Sequence, residues 1–231
     1  MTHIKVIIPA YNEALSIGKV VADIPLDLVQ EIIVVDNNST DNTGRVAASA
    51  GATVIPEPRQ GYGQACLTGI QYARQQSPPP EVIVFMDGDY SDYPEEISLL
   101  LQPILTQGAD MVIGSRALGV RERGSMTAPQ VFGNWLATTL LRHLYHANFT
   151  DLGPFRAITT KALVQLNMQD RDYGWTVEMQ VKAAKHNLKS VEVPVTYRKR
   201  IGVSKVSGTV KGVIMAGYKI LWTIGKYYFK K

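Results

Sequence analysis

Strand-like and helix-like segments alternate through the first half of this chain, and that alternation restricts its fold more than any other feature. Apolar, β-prone runs at Ile4 to Ile8, Glu31 to Val35, Thr53 to Ile55 and Val82 to Met86 are separated by helical patterns over Glu13 to Ala22, Thr40 to Ala50 and Gln64 to Gln75. Strands interleaved with helices of this length predict an α/β fold, a mostly parallel central sheet flanked by helices on both faces. Right-handed crossovers then bring the carboxyl ends of the strands to one edge. Beyond these units the pattern predicts a helix from Pro94 to Leu105, a strand from Asp110 to Gly114, a mobile Arg- and Gly-rich loop from Val120 to Ala128, and a helix from Phe132 to Tyr145. With 231 residues, 45% of them hydrophobic, the chain can bury a full core as one domain with an extension.

Ligands bind at the carboxyl edge of open α/β sheets, so the residues after each strand matter most. They are Pro9-Ala10-Tyr11-Asn12-Glu13, Asp36-Asn37-Asn38-Ser39-Thr40-Asp41, and Asp87-Gly88-Asp89. The last triplet suits a hard divalent cation, with Gly88 allowing a tight turn and both carboxylates converging on one ion. The plainer readings are a turn after a strand, and a helix cap at Ser39 to Asp41. A glycine-rich loop, Arg59 to Ala65, precedes a helix and is placed to face a phosphate or sugar. It matches neither a Rossmann fingerprint nor a P-loop.

A net charge of +4 fits contact with phosphates or an anionic surface without choosing between them. The single cysteine, Cys66, excludes an intramolecular disulfide and makes a reducing compartment the default. It reads as a core residue. His143 and His146 lack the carboxylate pair that a metal site would need. The amino terminus lacks a signal-peptide pattern, and no run of about 18 uncharged apolar residues forms a membrane span.

Taken in order, Pro9 to Glu13, Val35 to Ser39, Asp87-Gly88-Asp89 and Gly114-Ser115-Arg116 resemble the family 2 glycosyltransferases, whose nucleotide-sugar-binding fold is called GT-A. The resemblance spans roughly residues 3 to 207. Asp151 to Arg156, Gly174 to Glu178 and Arg200 to Lys205 are similar to motifs of the dolichyl-phosphate mannose and glucose synthases. The resemblance implies a catalytic domain over 1–207 and a carboxyl-terminal extension over 208–231. It implies nucleotide-sugar binding by Pro9, Tyr11, Glu13, Val34, Asp36, Asp87, Gly88, Asp89, Arg116, Arg200 and Lys205. Asp87 and Asp89 would hold Mg²⁺ or Mn²⁺, Arg156 and Ser204 the acceptor phosphate, and Asp89, Arg116 and Arg200 would serve catalysis.

Two departures stand out. Ser91 occupies the position where the mannose synthases often carry a Gln that supplies a third ligand, and Gly153-Pro154 replaces their Ser-Gly. Proline removes a backbone donor, which alters the acceptor side. The implied reaction moves glucose or mannose from a UDP- or GDP-sugar to a polyprenyl phosphate, with inversion. Metal and Arg or Lys would stabilise the diphosphate leaving group, and a phosphate acceptor, already largely ionised with a second pKa of about 6, would need no strong base.

From Val210 to Lys231 a helical pattern sets Lys211, Lys219, Lys226 and Lys230 against Val213, Ile220, Leu221, Ile224, Tyr227 and Tyr228. Such a helix suits a membrane interface or the protein's own body. The expected setting is cytoplasmic, peripheral at the inner membrane face, with a membrane-protein partner as one way to complete it and no nucleic acid. Competing readings are transfer to a soluble or polysaccharide acceptor, a nucleotidylyltransferase, and a non-catalytic nucleotide-sugar-binding module. The nucleotidylyltransferase lacks its glycine-rich amino-terminal loop here.

Overall fold

The computed structural model describes residues 2–204 and 209–229. Seven strands form one sheet: β1 (Ile4–Ala10), β2 (Glu31–Asp36), β3 (Thr53–Pro56), β4 (Val82–Phe85), β5 (Met111–Ser115), β6 (Arg156–Thr159) and β7 (Ser190–Pro194), in the order β3-β2-β1-β4-β6-β5-β7. All neighbouring pairs are parallel except those of β6, which runs antiparallel to both β4 and β5. The predicted mostly parallel sheet is therefore present, with one reversed strand that the sequence pattern did not reveal. β6 is only four residues long and begins with an arginine, so it carries no apolar run to mark it.

Helices cover both faces. On one lie α1 (Ile17–Asp23), α2 (Thr43–Ser49) and α4 (Ile97–Gln107); on the other lie α3 (Tyr62–Gln75), α5 (Ala128–Tyr145), α6 (Thr160–Leu166), α7 (Trp175–Lys185) and α8 (Val210–Phe229). Alternate residues of each inner strand supply the two cores, Ile7, Ile33 and Phe85 to one, Val6, Ile8, Val34 and Val84 to the other. Every residue of β1 is buried, as expected of a central parallel strand. Burial of each such side chain contributes about 1.5–3 kcal/mol, which makes the sheet a rigid base for the loops at its edge. Cys66 is fully buried in this core, as its apolar surroundings predicted.

Two local features differ from expectation for identifiable reasons. α5 starts one turn early because Thr127 and Gln130 form a reciprocal capping box, and Pro129 sits in the first turn where no amide is needed. Val120 to Thr127 is irregular, and the segment is tied to 197–199: Glu122 N donates to Tyr197 O, and Lys199 N to the Glu122 carboxylate.

The apolar residues of α8 point two ways. Ile224 and Tyr227 are buried against the domain, with Val213 and Ile220 half-buried beside them, whereas Leu221 and Tyr228 are exposed. Polar contacts fix the inner face: Tyr227 Oη donates to Glu178 at 2.6 Å, Lys185 Nζ to Tyr227 O at 3.0 Å, and Tyr145 Oη to Ile224 O. Lys219 is not a free member of a basic stripe, since it pairs with Asp170 at 3.1 Å. Lys205, Lys230 and the 207/208 boundary lie outside the described residues.

Candidate active site

The strands deliver their loops to one edge at matched heights. Ala10 is level with Asp36, and Ile7 with Phe85, so the segment after β4 rises beside Pro9 to Tyr11. Gly88 lies in the turn after β4, but not in a backbone conformation that needs glycine. The positive φ falls on Tyr90 (65°), while Gly88 packs against Ile8, Ala10 and Ile17. A non-glycine residue in that conformation needs holding, and Tyr90 is held. Its hydroxyl donates to Asp23, its carbonyl accepts from Arg198 Nε at 2.6 Å, and the Arg198 guanidinium lies 3.4 Å from its ring centroid and 4.1 Å from that of Tyr93.

Both aspartates of the loop are pre-positioned. Tyr62 Oη donates to Asp87 Oδ1 at 3.1 Å. Ser91 donates to Asp89 Oδ1 from its amide at 2.9 Å and from its hydroxyl. Ser91 thus fastens Asp89. Arg200 bridges the loops, with Nη1 3.0 Å from Asp89 Oδ2 and Nη2 2.8 Å from Glu13 Oε1. Burial and the nearby Asp89 charge push the Asp87 carboxyl up to about 7.

Two such carboxylates facing a cavity form a fitting seat for a hard cation. Among the described residues no group of three or more His, Cys, Asp and Glu side chains could hold a metal ion. The donor set therefore suits Mg²⁺ or Mn²⁺ completed by phosphate and water.

A cavity of about 540 Å³ opens over this edge. The structure brings together in its lining Pro9, Tyr11, Glu13, Asp87, Gly88, Asp89, Arg200 and Ser204 from the predicted set, together with Asn37, Gln60, Gly61, Tyr62, Asp172 and Tyr173. Val34 and Asp36 are not among them. Val34 is fully buried in the core behind β2, and Asp36 Oδ1 accepts from Ser39 N within its own loop. The next residue, Asn37, faces the cavity instead. Its amide group donates to Glu57 O and Arg59 O and accepts from Gly61 N, so it fixes the glycine-rich loop.

That loop lines the cavity, and two of its amides are already engaged, Gly61 N by Asn37 Oδ1 at 2.8 Å and Gln64 N by Arg171 O at 2.9 Å. Its glycines serve close packing. A Cβ on Gly61 would lie 2.2 Å from Arg171 O, and one on Gly63 2.2 Å from Asp170 O.

A second cavity, about 330 Å³, adjoins the first. Tyr62, Asp87, Asp89, Tyr173, Arg200 and Ser204 line both. Its outer walls are Pro129, Gln130, Gly133 and Asn134 of α5 and Val213, Ala216, Gly217 and Ile220 of α8, and its floor includes Leu152, Pro154 and Thr176. Arg116 stands here rather than in the first cavity. Two parallel bonds to Asp151, at 2.6 and 2.8 Å, lock it, and its guanidinium lies 5.0 Å from the Tyr197 ring centroid. Burial alone would lower the Arg116 pKa, but the Asp151 pair outweighs burial and raises it, so the charge is permanent.

Arg156 does not face an acceptor. It is fully buried, donates to the carbonyls of Leu152, Gly153 and Thr176, and burial pushes its pKa down to about 10. Its work is to tie together the floor of the second cavity. The sequence did flag the neighbourhood of Asp172 and Tyr173 through the adjoining Gly174-to-Glu178 segment, but only the packing of Gly61 and Gly63 shows why those two reach the site.

The glycosyl transferase family 2 model matches residues 5–166. An uncharacterized glycosyltransferase of Mycobacterium tuberculosis is 36% identical over 218 residues, covering 92% of this chain and 94% of that relative. The undecaprenyl-phosphate mannosyltransferase of Micrococcus luteus is 30% identical over 221 residues, covering 89% and 88%. Among solved structures, glucosyl-3-phosphoglycerate synthase from M. tuberculosis, in complex with Mn²⁺, UDP and phosphoglyceric acid, superposes with a TM-score of 0.79 at 22% identity, over 99% of this chain and 79% of that one. It shares the fold. The strand-end loops, the paired aspartates and the match over residues 5–166 converge: the chain belongs to glycosyl transferase family 2.

Proposed function

We propose that this enzyme moves a hexose, glucose or mannose, from a UDP- or GDP-sugar to the phosphate of a polyprenyl lipid, working at a membrane surface. The observation that carries the reading is the character of the second cavity. Its walls from α5 and α8 are mostly small or apolar, with Gln130 and Asn134 as the polar members, and its inner end holds Arg116 and Arg200. Among the described residues its only carboxylates are Asp87 and Asp89. An acceptor with a neutral hydroxyl needs a general base, and both of these are assigned to the metal. A phosphate monoester needs none, because its second ionisation, at about pH 6, has already occurred. Guanidinium groups at the inner end suit its charge, and apolar walls suit the first units of a hydrocarbon chain.

The nucleotide diphosphate belongs in the larger cavity, with its phosphates against Asp87, Asp89 and Arg200. The bound metal would neutralise charge that develops on the leaving diphosphate. Arg200 stands at the junction of the two cavities, and its Nε is buried without a hydrogen-bond partner among the described residues, which leaves a donor for an anion. Tyr62 and Ser91 keep the two aspartates oriented, so little reorganisation accompanies loading. The lipid-phosphate acceptor named for the Micrococcus luteus relative and the Mn²⁺ and UDP in the glucosyl-3-phosphoglycerate synthase complex support this assignment.

Membrane contact is proposed through the outer faces of α5 and α8. Trp135 is 58% exposed and Trp222 56%, with Phe132, Ile214, Met215, Tyr218 and Leu221 exposed around them and Lys211 and Lys226 also exposed on α8. Amphipathic aromatic surface with basic residues is the composition that settles at a bilayer interface. No helix among the described residues is long and apolar enough to cross a membrane. The reading is tested by a donor screen against polyprenyl phosphate in the presence of Mn²⁺, with mass spectrometry of the organic phase. It requires a hexosyl phospholipid there; label that remains aqueous with every donor contradicts it.

A further inference from the structure

The segment 170–173, between α6 and α7, has no assigned role, yet it is among the most firmly held loops at the site. Glu178, fully buried at the start of α7, accepts from Gln169 N and from Asp170 N at 2.7 Å. Asp170 in turn accepts from Asp172 N at 2.8 Å and Gly174 N at 3.1 Å, and pairs with Lys219 of α8. Gln64 N of α3 donates to Arg171 O, and Gly61 and Gly63 press against the carbonyls of Arg171 and Asp170 respectively. The backbone is thus fastened from α3, α7 and α8 together.

Two side chains of this segment reach the site. Tyr173 lines both cavities, and Asp172 lines the larger one only. Glu13 and Asp89 are paired with Arg200, and Asp87 accepts from Tyr62, whereas the Asp172 carboxylate is engaged by the backbone amide of its neighbour Tyr173 and has acceptor capacity to spare. Its neighbours in charge are Asp170, which opposes its ionisation, and Lys219, which favours it.

A rigidly presented carboxylate repels a diphosphate but accepts hydrogen bonds from hydroxyl groups. The transferred hexose must lie where the two cavities meet, because the acceptor reaches its anomeric carbon from the second cavity. Asp172 stands next to that junction, since its neighbour Tyr173 lines both cavities. We infer that Asp172 is a sugar-recognising residue, accepting hydrogen bonds from hydroxyls of the donor hexose and so selecting which hexose is carried. This inference rests on the proposed glycosyl transfer and adds a specificity residue to it.

Calorimetry of the full chain, wild type, Asp172→Asn and Asp172→Ala, with UDP, GDP, UDP-glucose and GDP-mannose in Mn²⁺ separates the possibilities. Loss of a charge-assisted hydrogen bond is expected to weaken the nucleotide sugar that the wild type prefers by about tenfold in both variants. The matching bare nucleotide should bind within about twofold of wild type, which also shows that the variants are folded. Equal weakening of both ligands would make Asp172 a ribose or scaffold residue and overturn the inference, as would no change in either. Failure of the wild type to bind any of the four would instead remove the donor reading itself, and the inference with it.

Discussion

The two cavities that meet at Asp87 and Asp89 are built by different means. The larger is an edge of the sheet: loops after β1, β2 and β4, fixed by strand register, present Glu13, Asn37, Asp87 and Asp89 at one level. The smaller lies off the sheet, between α5, α8 and the 152–154 turn, and is walled by Gly133, Ala216, Gly217 and Ile220. A polar, metal-competent half thus rests on the most rigid part of the molecule, while the apolar half rests on two helices whose outer faces are exposed. The division assigns the charge-stabilising chemistry to the first and the choice of acceptor to the second.

The sharpest break of that division comes at the shared aspartates. Asp87→Ala and Asp89→Ala should each lower turnover by at least about a hundredfold and abolish Mn²⁺-dependent nucleotide binding, measured by kinetics and calorimetry. Metal-independent turnover in an intact Asp89→Ala variant would remove the mechanism. Next in size is a block on the helical side only. Gly217 has open space where a Cβ would stand, so Gly217→Phe can be accommodated while filling the second cavity. It should raise the KM for polyprenyl phosphate by about tenfold or more and leave nucleotide binding unchanged. If donor affinity falls equally, the two cavities are not functionally separate.

The membrane face predicts a smaller, selective loss. Trp222→Glu alone should weaken partitioning to anionic vesicles by about tenfold, the low end of roughly 1.5–3 kcal/mol for one buried aromatic, with donor binding intact. Smallest is Tyr62→Phe, which removes one bond to Asp87 and should weaken Mn²⁺ binding about fivefold near pH 7 without changing acceptor KM.

The raised pKa of Asp87 also sets a pH dependence. The folded, metal-free chain holds this proton to about pH 7, whereas an unfolded chain releases it near pH 4. Stability of the metal-free form should therefore decline between about pH 4 and pH 7, and metal affinity should fall as pH drops through about 7. Thermal melts with and without Mn²⁺ across that range check both signs.

The same two halves differ in how far sequence reveals them. Pro9, Glu13, Asp87 and Asp89 follow apolar runs directly, so local pattern places them at the strand ends and the site with them. Val34 and Asp36 show the limit of that reasoning: strand parity turns Val34 into the core, and an Asx turn to Ser39 draws Asp36 away, leaving Asn37 at the cavity. Arg156 looks like a phosphate ligand by type, but three carbonyls brought together by folding claim it. The second cavity exists only through contacts between distant segments, and the reversed strand β6, the α7 loop and the double-faced α8 have no local periodicity that predicts their partners. What pattern supplies is the position of chemistry along the edge; what it lacks is which charged groups the fold has already used.

The most direct test of the division is a comparison of acceptors with one donor, Mn²⁺ and the full chain: polyprenyl phosphate, the polyprenol of the same length, and phosphoglyceric acid. A cavity with apolar walls, guanidinium groups at its inner end and no general base predicts product with polyprenyl phosphate alone. Comparable transfer to the polyprenol would contradict the base-free phosphate mechanism, and faster transfer to phosphoglyceric acid would contradict the lipid assignment of the second cavity.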